Sequence, residues 1–392
     1  MSTNQTWRRA IDVADAASNE HPVTFMQTSV EDAEVQAHTR SRMRARARVS
    51  TVPVVRNTGA RHAAGVREAA NAVHQGVINS IVSEKAEKAV VRVESLARRS
   101  VMHHSRDANG AAHLKITLQR ASHVAKYRRA LLCVENFKSL GLTLPFDLYE
   151  ADVDCTLRYM VDTGTVGCAW ATAPAKAYVL RTAETRETRC AIELDVDHTK
   201  LIAHDASVPP YDGIAPLRVL SFDIECCAKE EHFPHPDLDP VIQIASVLAE
   251  VPERHEMRRV YILGSCANIP GATVVACDTE TALLRAWSVD VIAADPDLIV
   301  GYNVQNFDID YLLKRAANLR VDDFALFGRV RRKRVESKEA TFSSKAMGTR
   351  KNMRATVDGR IVLDVMQIVQ TEHKLSSYTL NHVSERFLKE RK

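Results

Sequence analysis

Apolar and polar positions follow three successive regimes along the chain. Up to about residue 59 no periodicity is sustained, apart from a short strand-like stretch from Val23 to Gln27. From Ala63 to about Val82, residues Val66, Ala69, Ala70, Val73 and Val77 recur at three- and four-residue spacings, which predicts a helix. Val90 to Val93 and Leu114 to Leu118 read as strands separated by a turn at Asp107 to Gly110, and Val124 to Leu140 reads as a second helix. Leu148 to Thr163 suggests a helix leading into a strand at Val166 to Trp170, with further strands at Tyr178 to Leu180 and Cys190 to Val196. The polar, turn-rich Pro209 to Gly213 marks the main domain boundary.

Beyond that boundary the apolar runs are denser. Leu217 to Phe222, Val241 to Val247, Arg259 to Leu263 and Leu298 to Tyr302 predict strands. Glu280 to Ala294 is helical, with Leu283, Leu284, Trp287 and Val291 on one stripe, and Ile309 to Asn318 is a further helix. Three strands, a crossing helix, a strand and another helix make an α/β unit with a mixed sheet, an order that permits an RNase H-like fold. The expected organisation is a basic, largely disordered arm at 1–60, a mixed α+β domain at 61–213 and an RNase H-like domain at 214–392.

Composition changes this picture little. A chain of 392 residues with 45% hydrophobic and 26% charged residues accommodates two or three ordinary globular domains. The eight cysteines show no C-x-x-C pair, so reduced, mostly buried thiols are expected rather than disulfides or zinc ligands. No apolar leader opens the chain, and no run approaches the length of a membrane span, so no membrane partner is expected. Charge adds more. The formal net charge is only +4, yet Thr39 to Arg48 holds five arginines and no acid, and Arg329 to Arg354 holds ten bases against two acids. Such clustering suits a polyanion. The first run, whose arginines alternate from 40 to 48, also reads as a nuclear import signal or a mobile tail.

The chemistry concentrates at Phe222-Asp223-Ile224-Glu225. On a strand, Asp223 and Glu225 project from one face while Ile224 enters the core. Two carboxylates at a strand end suit a hard divalent cation such as Mg²⁺, which takes oxygen ligands and shares them with substrate phosphate. A second acid, Asp308, stands between a strand and a helix, where open α/β sheets place ligands. It reads either as a third ligand or as the cap of the following helix.

These two elements, with Tyr302-Asn303-Val304-Gln305-Asn306-Phe307-Asp308 as the second, resemble the first and second exonuclease motifs of the family B DNA polymerases. The flanking segments Ile214-Ala215-Pro216, Asp239 to Ile244, Gly328-Arg329-Val330, Tyr378 to Asn381 and Leu157 to Thr163 with Val166-Gly167-Cys168 are similar to the delta-type catalytic subunits of that family, over about residues 147 to 388. The resemblance implies that Asp223, Glu225 and Asp308 hold two divalent ions, Mg²⁺ or Mn²⁺, in a 3′–5′ proofreading exonuclease. It further implies that Asn303 and Phe307 position a single-stranded primer 3′ end, that the basic segment 329–354 forms a hairpin contacting phosphates, and that the protein is nuclear and joins accessory polymerase subunits. For Asn303 and Phe307, loop hydrogen bonding and packing are the competing readings.

The family's third exonuclease motif, a Tyr followed four residues later by Asp, belongs some tens of residues after Asn381, and the sequence stops at Lys392. Asp364 is the nearest acid, but it fits the end of another sheet strand and a structural role. The palm, fingers and thumb of a polymerase are also absent from these residues. The leading expectation is therefore the amino-terminal and exonuclease portion of a DNA polymerase delta-like subunit that, by itself, trims DNA slowly or not at all. The alternatives are a non-catalytic DNA-binding or assembly module on the same scaffold, and a free-standing exonuclease.

Overall fold

The computed structural model describes residues 148–391 except 168, 198–199, 229–232, 253–255 and 345–347, and also the separate segments 23–26, 50–51, 90–98, 111–118 and 122–132. The arginine run at 40–48, the helix expected at 63–82, the turn at 107–110 and the distal part of the helix expected to reach Leu140 lie outside the described residues. The chain divides into two units, Met1–Leu180 with Leu194–Gly213, and Arg181–Glu193 with Ile214–Lys392.

In the first unit, β1 (Val23–Met26), β2 (Ser50–Thr51), β3 (Val90–Arg98) and β4 (Ala111–Leu118) precede two helices, α1 (Ser122–Leu132) and α2 (Cys155–Thr163). Four short strands follow, β5 (Trp170–Ala173), β6 (Tyr178–Leu180), β7 (Leu194–Val196) and β8 (Ile202–Ala203). They form small antiparallel sheets ordered β1-β5-β8, β2-β4-β3 and β6-β7. The strand expected at 166–170 begins only at Trp170, because α2 ends in a turn with Gly164 at φ +71° and Thr163 Oγ1 bonded to Thr165 Oγ1 at 2.7 Å. The strand expected at 190–196 is confined to its last three residues. Its start belongs to the second unit, where Glu193 turns the chain by accepting the amides of Glu187 and Thr188 and the Thr188 hydroxyl.

The second unit is organised by a single large sheet. Its strands are β9 (Leu217–Cys226), β10 (Val241–Val251), β11 (Glu256–Leu263) and β12 (Thr273–Cys277), then, after α3 (Glu280–Ala294), β13 (Leu298–Gly301). Helix α4 (Asp308–Asn318) leads to an antiparallel hairpin of β14 (Glu336–Ser344) and β15 (Gly348–Thr356). The last sheet strand, β16 (Ile361–Asp364), precedes α5 (Val365–Glu372) and α6 (Leu380–Phe387). The six strands are ordered β12-β11-β10-β9-β13-β16. Only β10 runs against the rest. Four strands, not three, thus precede α3; the additional β12 is a five-residue edge strand parallel to β11.

Helix α3 has the bounds its periodicity predicts, and Leu283, Leu284, Trp287 and Val291 are buried. Trp287 is the centre of the core, with its ring centroid 4.9 Å from Phe222, 5.9 Å from Phe324 and 5.5 Å from Phe327. Its indole N–H donates to Ser246 Oγ at 3.1 Å, so the one polar atom of the side chain is satisfied inside the core. This packing fixes β9 and β10, and hence the strand that carries the first two acids.

Candidate active site

Side chains alternate along β9. Leu220, Phe222 and Ile224 are buried, while Asp223 is half-buried and Glu225 exposed on the other face. Pairing with β10 fixes the register, with Asp223 opposite Ala245 and Glu225 opposite Gln243. On its other side β9 pairs with β13 only as far as Ser221 and Val300. Beyond that point Asp308, a residue only 2% exposed, takes over from the strand, its Oδ1 accepting the Ile224 N–H at 3.2 Å. The third acid therefore lies against the one stretch of β9 that carries the other two.

The N-cap position of α4 is Phe307, which makes no side-chain cap bond, and Asp308 is the first helical residue with its carboxylate directed to β9. The loop that delivers it is tightly specified. A Cβ on Gly301 would stand 2.8 Å from Val304 Cβ and 3.1 Å from the Phe222 carbonyl oxygen, so only glycine lets the chain fold back so closely on the strand. Asn303 adopts φ +62°, a left-handed conformation that asparagine tolerates better than most residues.

Asp364, at the end of β16 and 3% exposed, clamps this loop. Its carboxylate accepts the amides of Asn303 at 2.9 Å, Gln305 at 3.2 Å and Met366 at 3.1 Å, the last as N-cap of α5. The structural role expected for Asp364 thus takes the form of a bracket between two helix-entry segments. The Asn303 side chain accepts from Asn306 Nδ2 at 3.0 Å, and Asn306 Oδ1 accepts the Met353 amide of β15 at 2.8 Å. Phe307 packs edge-on to Phe233 at 5.2 Å and against Tyr311 at 5.4 Å. Both residues therefore sit in the loop beside Asp308, and both already have contacts of their own.

A second clamp was not legible in the sequence. Glu280, in the first turn of α3, accepts the Val241 amide at 2.8 Å and forms a two-pronged pair with Arg315 of α4 at 2.8 Å for each prong. Tyr311 donates to the Asp239 carbonyl at 2.8 Å. Together these tie α3 and α4 to the return of the chain from β9 into β10. The only available signal was an acid one residue after Thr279, whose hydroxyl caps α3. Burial, reinforced by the charges of Asp308, Glu225 and Glu280 and only partly opposed by a bond with Tyr311, pushes the Cys226 thiol up to about 11. It stays protonated and adds no charge at neutral pH.

The three acids offer only hard oxygen donors, the type that Mg²⁺ and Mn²⁺ prefer, and the Asp308–Ile224 bond aligns the third with the first two. They fit a divalent cation in donor type, and Asp308 stands against the strand that carries the other two. Their carboxyl groups are nonetheless not gathered: among the described residues no group of three or more His, Cys, Asp or Glu side chains is close enough to hold a metal ion as it stands.

Comparison with known proteins matches this architecture to one family. Residues 146–383 match the family model for the DNA polymerase family B exonuclease domain. The chain is 40% identical over 306 residues to the DNA polymerase delta catalytic subunit of Glycine max, covering 78% of this chain and 28% of that protein. It is 43% identical over 310 residues to the subunit of the same name from Mesocricetus auratus, covering 78% and 27%. The chain thus spans less than a third of the length of the curated relatives it matches. Among solved structures, the family B DNA polymerase from the archaeon Pyrobaculum calidifontis shares the fold with a TM-score of 0.51 at 24% identity, over 86% of this chain and 34% of that one. The chain, whose sheet carries Asp223 and Glu225 of the first motif on one strand and seats Asp308 of the second against it, belongs to the family B DNA polymerases and carries their exonuclease domain.

Proposed function

We propose that residues 214–392, behind a mixed α+β domain at 61–213, act as an RNase H-like 3′–5′ proofreading exonuclease within a DNA-directed DNA polymerase catalytic subunit of the delta type. The observation that carries this reading is the seat of Asp308 on the Ile224 amide, between Asp223 and Glu225. The order β11-β10-β9-β13-β16, with β10 alone reversed, supports the RNase H-like assignment. Asp223, Glu225 and Asp308 would hold two divalent ions, which when bound supply a hydroxide at neutral pH and stabilise the leaving 3′ oxygen. The chain's own part is positional. Asp364 and Gly301 fix the loop from which Asn303 and Phe307 would hold the single-stranded primer 3′ end, while the Glu280–Arg315 clamp holds the chain between β9 and β10. Nuclear residence and accessory polymerase subunits belong to the same proposal, and imaging of the tagged chain together with co-purification tests both.

The direct test is Mn²⁺ binding, read by loss of the free-ion resonance signal, together with trimming of a 5′-labelled single-stranded oligonucleotide. We expect Asp223→Asn and Asp308→Asn each to weaken Mn²⁺ binding at least tenfold and to abolish whatever metal-dependent shortening the wild-type chain shows. Unchanged Mn²⁺ binding in both variants would sink the metal-site reading. A second reading, a non-catalytic DNA-binding or assembly module, draws on the ungathered carboxyl groups. It is favoured by salt-sensitive DNA binding with no shortening at any metal concentration.

A further inference from the structure

The segment 329–354 carries ten bases, but the structure divides them into those already engaged and those left over. Arg329 is drawn into the fold by Asp295 at 2.8 Å and Asp297 at 2.6 Å. Lys333 is bound to Asp358 at 2.5 Å. On the hairpin, Lys338 pairs with Glu336 at 2.5 Å and Lys351 with Glu339 at 2.8 Å. Of the rest, Arg331, Arg332 and Arg334, and Arg354 on β15, are exposed and have no acid partner among the described residues, while the side chains of Lys345 and Arg350 lie outside them; the first three stand together between the engaged bases.

Their backbone is pinned on several sides. Residues 187–189 form a short antiparallel ladder with 329–331: Arg189 N–H donates to the Arg329 carbonyl at 2.8 Å, Arg331 N–H to the Glu187 carbonyl at 2.7 Å, and Thr188 faces Val330. Val335 N–H donates to the Ala325 carbonyl at 2.7 Å. The ladder sets Arg189 on the same face as Arg331, and burial together with the Arg331 charge lowers the Arg189 pKa. The nearby carboxylate of Glu187 turns to Arg181 at 3.5 Å. The like charges of Arg189 and Arg331 are thus held together on a ledge whose backbone is hydrogen-bonded to residues 187–189 and to Ala325.

The ledge lies at the other end of the sheet from the acids. Asp295 and Asp297, which anchor Arg329, immediately precede β13, and the Asp297 carbonyl accepts Ile361 N–H at the start of β16. The acids lie beyond the carboxyl ends of these parallel strands, about 13 Å away for a four-residue strand rising ~3.3 Å per residue.

We propose that Arg331, Arg332 and Arg334, flanked by Arg189, form a second, sequence-independent contact surface for nucleic-acid phosphates, separate from the site that would hold the 3′ end. Arginine forks suit this task because each can grip two phosphate oxygens, and a pinned backbone loses less freedom on binding. The proposal rests on the nucleic-acid reading above and adds to it where the strand would be gripped away from the acids.

The test is fluorescence anisotropy of the 392-residue chain with a long labelled single-stranded oligonucleotide across a salt series, for wild type and the triple variant R331Q/R332Q/R334Q. Removing three phosphate contacts at ~0.7 each should make the slope of log K against log salt shallower by about 2, and at low salt affinity should fall tenfold or more. Mn²⁺ binding should not change, and a triple Arg→Lys variant should restore most of the slope. Wild-type affinity and slope in the Gln variant would overturn the proposal, as would a wild-type chain that binds no oligonucleotide. So would polyglutamate displacing the DNA as effectively as unlabelled DNA of equal charge, which would mark an acidic polypeptide site. Loss of Mn²⁺ binding on Asp223→Asn with the steep salt slope retained separates the two proposals, because each then stands or falls on its own residues.

Discussion

Replacing Asp364 with Ala tests how the acid-bearing loop is held. The substitution deletes one helix N-cap, worth about 1 kcal/mol, at Met366. It also strips the acceptor from the amides of Asn303 and Gln305, which are partly buried and bonded to a charged group at 2.9 and 3.2 Å, each worth about 1–1.5 kcal/mol. The local cost is therefore about 3–4 kcal/mol. Since 1.4 kcal/mol is about a factor of ten, amide hydrogen exchange at Asn303, Gln305 and Met366 should quicken at least about 100-fold, while Ile244 and Ile299 in the sheet interior change far less. Asp364→Asn, which keeps one acceptor oxygen, should lose roughly half as much. Protection within about threefold of wild type at all three amides would refute the bracket. Equal loss across the whole sheet would show that Asp364 supports global stability instead of this loop.

Other outcomes follow from the same geometry. Trp287→Ala should cost about 3–5 kcal/mol, because it empties the centre of the ring cluster and strands the Ser246 hydroxyl; denaturant midpoints measure it. Gly359→Ala should lower the melting temperature by at least the equivalent of about 1–2 kcal/mol, since Gly359 has φ +77° and a Cβ there would stand 2.7 Å from Arg329 Cβ. For Asp295, burial alone would raise the pKa, but the bonds and charges of Arg329 and Arg360 outweigh it and hold it low. For Glu193, burial is likewise outweighed, by the Thr188 and Glu187 bonds and the Arg181 charge. Both carboxylates bind protons less readily folded than unfolded, so their contribution is complete above the ordinary carboxylate range and is lost as pH falls through the lower folded values. Unfolding followed from pH 7 downward should therefore show a drop in stability below about pH 4, less steep in Glu193→Gln.

What the sequence disclosed depended on how local each cause is. The bounds of α3 follow from a stripe of four apolar side chains on one helix, and the alternation along β9 puts Ile224 inside with nothing but period-two geometry. Strand β12 escaped because its five residues, Thr-Val-Val-Ala-Cys, lie at a sheet edge where alternation is weak and pairing with β11 supplies the order. The start of the strand expected at Cys190 failed for a different reason. Glu193 satisfies three donors five and six residues before it and so turns the backbone away from a ladder, a polar side-chain choice that apolar content cannot reveal. The acids at 223, 225 and 308 could be named from chemistry and spacing, whereas the bond from Asp308 to Ile224 needed the fold.

Charge shows the same limit most plainly. Counting ten bases between 329 and 354 treats them as one surface, yet Arg329 and Lys333 are consumed by Asp295, Asp297 and Asp358, and these pairs fasten the segment to the leading ends of β13 and β16. The arginines left exposed are consequently set by the pairs that are buried: were Arg329 to lose its two aspartates, the ledge bearing Arg331 and Arg334 would lose its anchor. An Asp297→Asn variant should therefore weaken long-oligonucleotide binding although no cation has been removed, whereas a purely electrostatic account predicts stronger binding, because one negative charge is gone. The sign of that change in affinity, read in the same anisotropy titration, decides whether position or net charge governs the contact.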